Sequence, residues 1–112
     1  ELLENANEAL EVYLLLLREP DAYDMQQDLF CLMHWLDLTS DGFALRLRKE
    51  YPQLPLQELN VCCLLRMGYS WEKMGEVMKV KDDTARRYIY RVCSRLDIPG
   101  NKKDFERFIK TY

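Results

Sequence analysis

At 112 residues, 48% apolar and 31% charged, the chain has material for one domain with a modest core and is too hydrophobic for a disordered segment. Its longest uninterrupted apolar run, residues 12–17, falls far short of the roughly 20 residues that cross a bilayer, so no segment of the sequence reads as a membrane span. The net charge of −3 argues against nucleic acid until it is divided: residues 1–45 carry one basic side chain, Arg18, against ten acidic ones, while residues 46–112 carry fifteen basic against nine acidic, a net of +6.

Apolar residues recur at helical spacing throughout, and period-two alternation is absent. A first helix over 2–17 stops before Pro20, with Glu4, Glu8 and Glu11 as solvated charges along one face. A second starts at Asp21 as N-cap and runs to 38; Met25, Leu29, Leu32, Met33 and Leu36 form its apolar face. A turn over 39–42 offers Ser40 or Asp41 as cap to a third helix over 43–50, which ends before Pro52. A fourth covers 56–67 and stops at Gly68. Ser70 caps a short fifth helix over 71–78, and the sixth follows over 82–96. Pro99 and Gly100 break the chain before Asn101 caps a seventh, whose Phe105, Phe108, Ile109 and Tyr112 form either local core or a dimer contact. The chain reads as all-α: an acidic helical hairpin or linker over 1–42, then a basic unit over 43–112. The run 12–17 is too apolar for a lone surface helix and calls for cover from the second helix, a second subunit, or both.

Cys31, Cys62, Cys63 and Cys93 form no CxxC pair and all sit in apolar stretches, so they read as buried thiols in a reducing cytosol. With His34 as the single histidine, no zinc ligand set assembles. No glycine-rich phosphate loop or nucleophile–base pair is visible. The expectation is a non-enzyme with no metal and no cofactor.

The fifth and sixth helices are separated by only about three residues, the spacing of a helix-turn-helix. On the sixth, Ala85, Tyr88, Ile89, Val92, Cys93 and Leu96 fall on one side, while Asp83, Arg86, Arg87, Tyr90 and Ser94 fall on the other. Residues 54–98, LPLQELNVCCLLRMGYSWEKMGEVMKVKDDTARRYIYRVCSRLDI, resemble the LuxR/GerE signature without a gap. The match is carried by Leu54, Glu58, Val61, Leu64, Leu65, Gly68, Ser70, Met74, Met78, Val80, Thr84, Arg86, Arg95 and Leu96. Residues 43–52 also look like the lead-in helix of a variant found at the end of long helical sensor proteins.

The resemblance implies a four-helix DNA-binding domain with a recognition helix at about 82–96. Arg86, Arg87 and Tyr90 would face the bases in the major groove, where arginine can pair with guanine O6 and N7. Phosphate contacts are expected from Ser70, Trp71, Lys79, Lys81, Thr84, Arg91 and Arg95. Three positions depart from the pattern: Lys81 stands where Ser or Thr usually caps the recognition helix, leaving Asp82 to take the cap; Asp82 and Asp83 place two negative charges near the backbone; and Tyr90 replaces a polar or basic residue. Trp71 is either a packed side chain or an interaction anchor.

The function implied is sequence-specific binding of double-stranded DNA in bacterial transcription regulation, as a cytoplasmic homodimer on paired half-sites. The chain opens on Glu1 and not Met, which fits a piece of a longer protein with an upstream sensor region. Two alternatives stand beside it: an interaction module on the same fold that no longer binds DNA, and a promoter-binding domain like sigma-factor region 4. Val61, Leu64, Leu65, Met74, Val77, Ala85, Val92 and Leu96 are expected to be buried together.

Overall fold

The computed structural model describes the backbone of residues 2–99 and 101–112 and the side chains from residue 6 onward. The expected break at Gly100 and the Glu4 end of the acidic stripe therefore lie outside the described residues. Among the described residues seven α-helices follow in order: α1 Leu2–Arg18, α2 Met25–Thr39, α3 Phe43–Glu50, α4 Leu56–Arg66, α5 Trp71–Met78, α6 Asp82–Leu96 and α7 Lys102–Thr111. The expected all-α class holds, with no strand among the described residues.

α1 and α2 lie against each other as a hairpin. Val12 and Leu16 of the apolar run are buried, and Tyr13 stacks on Trp35 of α2 with ring centroids 4.5 Å apart. Leu17 stays 58% exposed. The expected cap of α2 is corrected. Pro20 draws Asp21 into a one-turn 3-10 helix, Pro20–Ala22, because its fixed φ starts a tight turn at once. Asp24 then caps α2: its carboxylate accepts from the Gln26 N–H at 3.1 Å, and Asp28 accepts from the Asp24 N–H at 2.9 Å.

The cap of α3 is neither Ser40 nor Asp41. Gly42 occupies that position in the left-handed region, φ 71°, where it has no side chain to offer. Asp37 of the preceding helix reaches across instead and accepts from the Leu45 N–H at 3.0 Å.

α4 is the hub, packing against α2, α5, α6 and α7. Every residue from 58 to 65 is buried, so Cys62 and Cys63 point in different directions and still both reach core. The helix stops as expected at Gly68, φ 98°, with Gly68 N–H donating to Leu65 O and Tyr69 N–H to Leu64 O, a Schellman pair. The reading of all four cysteines as buried is corrected at Cys31, which is only partly covered on α2.

One apolar core runs through the chain and crosses residue 42: Leu16, Leu29 and Leu36 share it with Leu64, Val92 and Phe105. All eight residues expected to be buried together belong to it. Two tyrosines tie the hairpin to the rest, Tyr23 Oη donating to Asn60 Oδ1 and Tyr69 Oη to Leu16 O, each at 2.6 Å. Phe105 and Ile109 of α7 are fully buried, and Phe108 and Tyr112 pack against the core, which makes the terminal stripe local core. Arg66 clasps the end of α7 by donating to the carbonyls of Ile109 and Lys110.

Candidate nucleic-acid interface

α5 and α6 are joined by Lys79, Val80 and Lys81. Ser70 starts α5 as expected, its hydroxyl accepting from the Lys73 N–H at 3.2 Å. Lys79 turns the chain in the left-handed region at φ 58°, its N–H bonded to Glu76 O and that of Val80 to Gly75 O.

α6 divides into two faces. Ala85, Ile89, Val92, Cys93 and Leu96 are buried against the core, with Tyr88 partly so. Asp83, Arg86, Arg87, Tyr90, Arg91 and Ser94 are exposed, Tyr90 by 62%. The expectation that Asp82 caps this helix is corrected. Lys81 occupies the cap position without a side-chain bond, and Asp82 and Asp83 lie in the first turn. Carboxylates there oppose the positive end of the helix dipole, which gives both residues a reason to be present that belongs to folding.

Three ion pairs form among the described residues: Lys73–Glu76, Arg95–Glu58 and Arg107–Asp104. None engages Arg86, Arg87, Arg91, Lys79 or Lys81, so no bridge ties the exposed arginines of α6 to Asp82 or Asp83. The nearest internal partner is a long contact of 3.5 Å from Arg87 to Thr84 Oγ1.

Two residues expected at phosphates have internal duties. Arg95 Nε donates to Glu58 Oε1 at 2.8 Å, and the Glu58 side chain is 5% exposed. A carboxylate this deep needs a cation, and Arg95 supplies it. Trp71 is buried against Phe105, ring centroids 5.9 Å apart. The structure thus brings Ser70, Arg86, Arg87, Tyr90 and Arg91 onto exposed positions of α5 and α6, with Lys79 and Lys81 exposed in the joint and Thr84 half-buried.

Sequence reasoning missed Lys102, whose ammonium lies 5.8 Å from the centre of the Trp71 ring.

Cys62, Cys63 and Cys93 are buried, and Cys31 is partly covered. Burial pushes Cys62 and Cys63 well up, and Cys31 and Cys93 are raised by the same cause. Among the described residues no group of three His, Cys, Asp or Glu side chains is placed to hold a metal, and no helix is long and apolar enough to cross a membrane. No protein-family model, curated protein or solved structure matches the chain.

Proposed function

We propose that the chain binds double-stranded DNA sequence-specifically through α6, as a transcription regulator of LuxR/GerE type. The observation that carries this reading is the outer face of α6. Arg86, Arg87 and Arg91 are exposed and free of ion pairs, on a helix whose other face is fixed in the core. Guanidiniums free of ion pairs on a rigid helix suit major-groove reading, because the fork meets a guanine edge without first leaving a carboxylate. In this reading Arg86, Arg87 and Tyr90 face bases, and Arg91, Lys79 and Lys81 hold phosphates. The protein works in the cytoplasm as a homodimer. With the α7 stripe spent on the core, the exposed Leu10, Leu17, Phe30 and Leu38 of the α1–α2 hairpin offer apolar surface to a second copy.

The test is a binding selection from random duplexes at low salt, followed by two variants on the enriched site. Arg86→Ala is expected to lower affinity by about 1–3 kcal/mol and relax the preference at one base pair. Arg91→Ala should weaken all sequences alike and reduce the salt slope by about one. A selection that enriches nothing, with Arg86→Ala silent, would refute DNA reading. The outcome would then favour an interaction module, for which the exposed Asp82, Asp83 and Tyr90 are the supporting observation.

A further inference from the structure

Within one copy the apolar run 12–17 is only partly covered. Ala9, Val12 and Leu16, at i, i+3 and i+7, are buried and form the stripe of α1 that meets the rest of the fold. Leu10, Leu14 and Leu17, at i, i+4 and i+7, form a second stripe about a third of a turn away. Leu10 is 40% exposed and Leu17 58%, and Leu14 between them is half-buried. α1 packs on α2 and on the 3-10 turn that follows it.

The charges beside this second stripe say what covers it. Arg18 is the one basic residue of 1–45, and it is exposed with no ion pair among the described residues. Leu15 and Leu14 stand three and four positions before it, so its own helix offers no carboxylate at pairing distance. Glu19 and Asp21, which follow it, form no ion pair with it. Glu11 lies seven residues earlier on the same flank of the stripe, about 10 Å away along the axis and out of reach within one copy. It too is exposed and free of ion pairs, with Glu8 as a like-charged neighbour one turn before it.

We propose that a second copy of the chain covers the Leu10–Leu14–Leu17 stripe, the two α1 helices running antiparallel about a two-fold axis near Leu14, with Glu11 of each copy beside Arg18 of the other. A two-fold axis perpendicular to the helices brings the same flank of both together, so the Glu11–Arg18 pair forms twice. Parallel packing sets opposite flanks against each other and forms neither pair. The leucines supply the apolar contact, and the rim charges choose its direction. The inference rests on the reading of the protein as a homodimer and is independent of what α6 binds.

Sedimentation equilibrium of the whole chain at low salt tests it. Glu11→Arg alone and Arg18→Glu alone each set like charges together at both ends of the contact, and each should weaken self-association about tenfold. Mixed in equal amounts, the two variants should form a heterodimer as tight as the parent dimer, because both pairs across the contact again join opposite signs. A loss caused by misfolding would not be rescued by mixing. Leu17→Gln, at an exposed position, should also weaken the dimer about tenfold while leaving the circular dichroism spectrum unchanged. A chain that stays monomeric at high micromolar concentration overturns the proposal together with the homodimer reading. Self-association that both charge swaps leave unchanged, or that mixing fails to restore, overturns the antiparallel pairing. A dimer lost in Phe30→Gln and indifferent to Leu17→Gln puts the contact on α2, which overturns this pairing and keeps the homodimer.

Discussion

Replacing Arg95 by methionine tests whether this arginine serves the fold before it serves any partner. The substitution keeps an unbranched, helix-compatible side chain and removes the Nε donor that lies 2.8 Å from Glu58 Oε1. Glu58 is then a carboxylate 3% exposed without its cation. Breaking a fully buried pair from one side costs about 3–5 kcal/mol. The Arg95 side chain is 42% exposed, so water can enter where the guanidinium stood, and a lower figure of about 2 kcal/mol is the better expectation. With an unfolding entropy of about 2.1 cal/mol/K per residue, that lowers Tm by about 8 °C for a chain of 112 residues. Urea unfolding of Arg95→Met, Glu58→Leu and the double variant closes a double-mutant cycle. The double variant should recover stability relative to Arg95→Met, because it removes the stranded charge. The reasoning fails if Arg95→Met lies within about 0.5 kcal/mol of the parent, or if the double variant is no better than the single.

Tyr23→Phe should cost about 1–3 kcal/mol in urea unfolding, because Asn60 Nδ2 already lacks a partner and its Oδ1 would lose the one it has. Asp97, at φ 56° on the C-terminal end of α6, carries both a left-handed backbone and a charge of the wrong sign for the dipole; Asp97→Asn should gain about 0.3–1 kcal/mol and Asp97→Gly somewhat more, read as a rise in Tm. Cys62 and Cys63 are raised by burial, and unfolded thiols ionise near 8.5, so their protonated core state supports folding fully below about pH 8.5 and progressively less as pH climbs above it; alkylation in native buffer should spare both, and protection above pH 9 should fall with the measured stability. Asp82→Asn with Asp83→Asn should lose about 0.3–1 kcal/mol per site from the uncapped start of α6 while tightening DNA binding, measured by thermal melting and by a salt titration of affinity.

The helices were legible because their punctuation is local. Pro20, Pro52, Gly68 and the Pro99 region interrupt the pattern, and Ser70 and Asn101 cap the helices they precede. The caps that were misread are those settled by something other than the nearest Asp or Ser. Pro20 took Asp21 into a turn, and Asp37, five residues before Gly42, reached forward across the α2–α3 corner. Burial of α6 followed from its two-faced pattern, whereas α4 has no exposed face over 58–65, so periodicity could not say which way Glu58 and Asn60 point. Their partners, Arg95 and Tyr23, lie 37 residues away in sequence, in opposite directions, and only the packing of the α1–α2 hairpin and α6 on α4 brings them together. Lys102 escaped for the same reason: its neighbour Trp71 belongs to another helix.

The charged residues of α6 separate into groups that answer to different demands. Arg95 answers to a buried carboxylate, and Asp82 and Asp83 answer to an N-terminus that Lys81 leaves without a side-chain cap. Neither requirement involves a partner molecule. Once these are set aside, what remains on the helix is Arg86, Arg87 and Arg91, three guanidiniums with no ion pair among the described residues. A guanidinium cannot lose its charge at any physiological pH, and its forked donors stay hydrated until an acceptor of matching geometry arrives. The case for nucleic acid therefore rests on the charges that folding does not use. That is a stronger warrant than the net +6 of residues 46–112, part of which, Arg95 included, is spent inside the molecule.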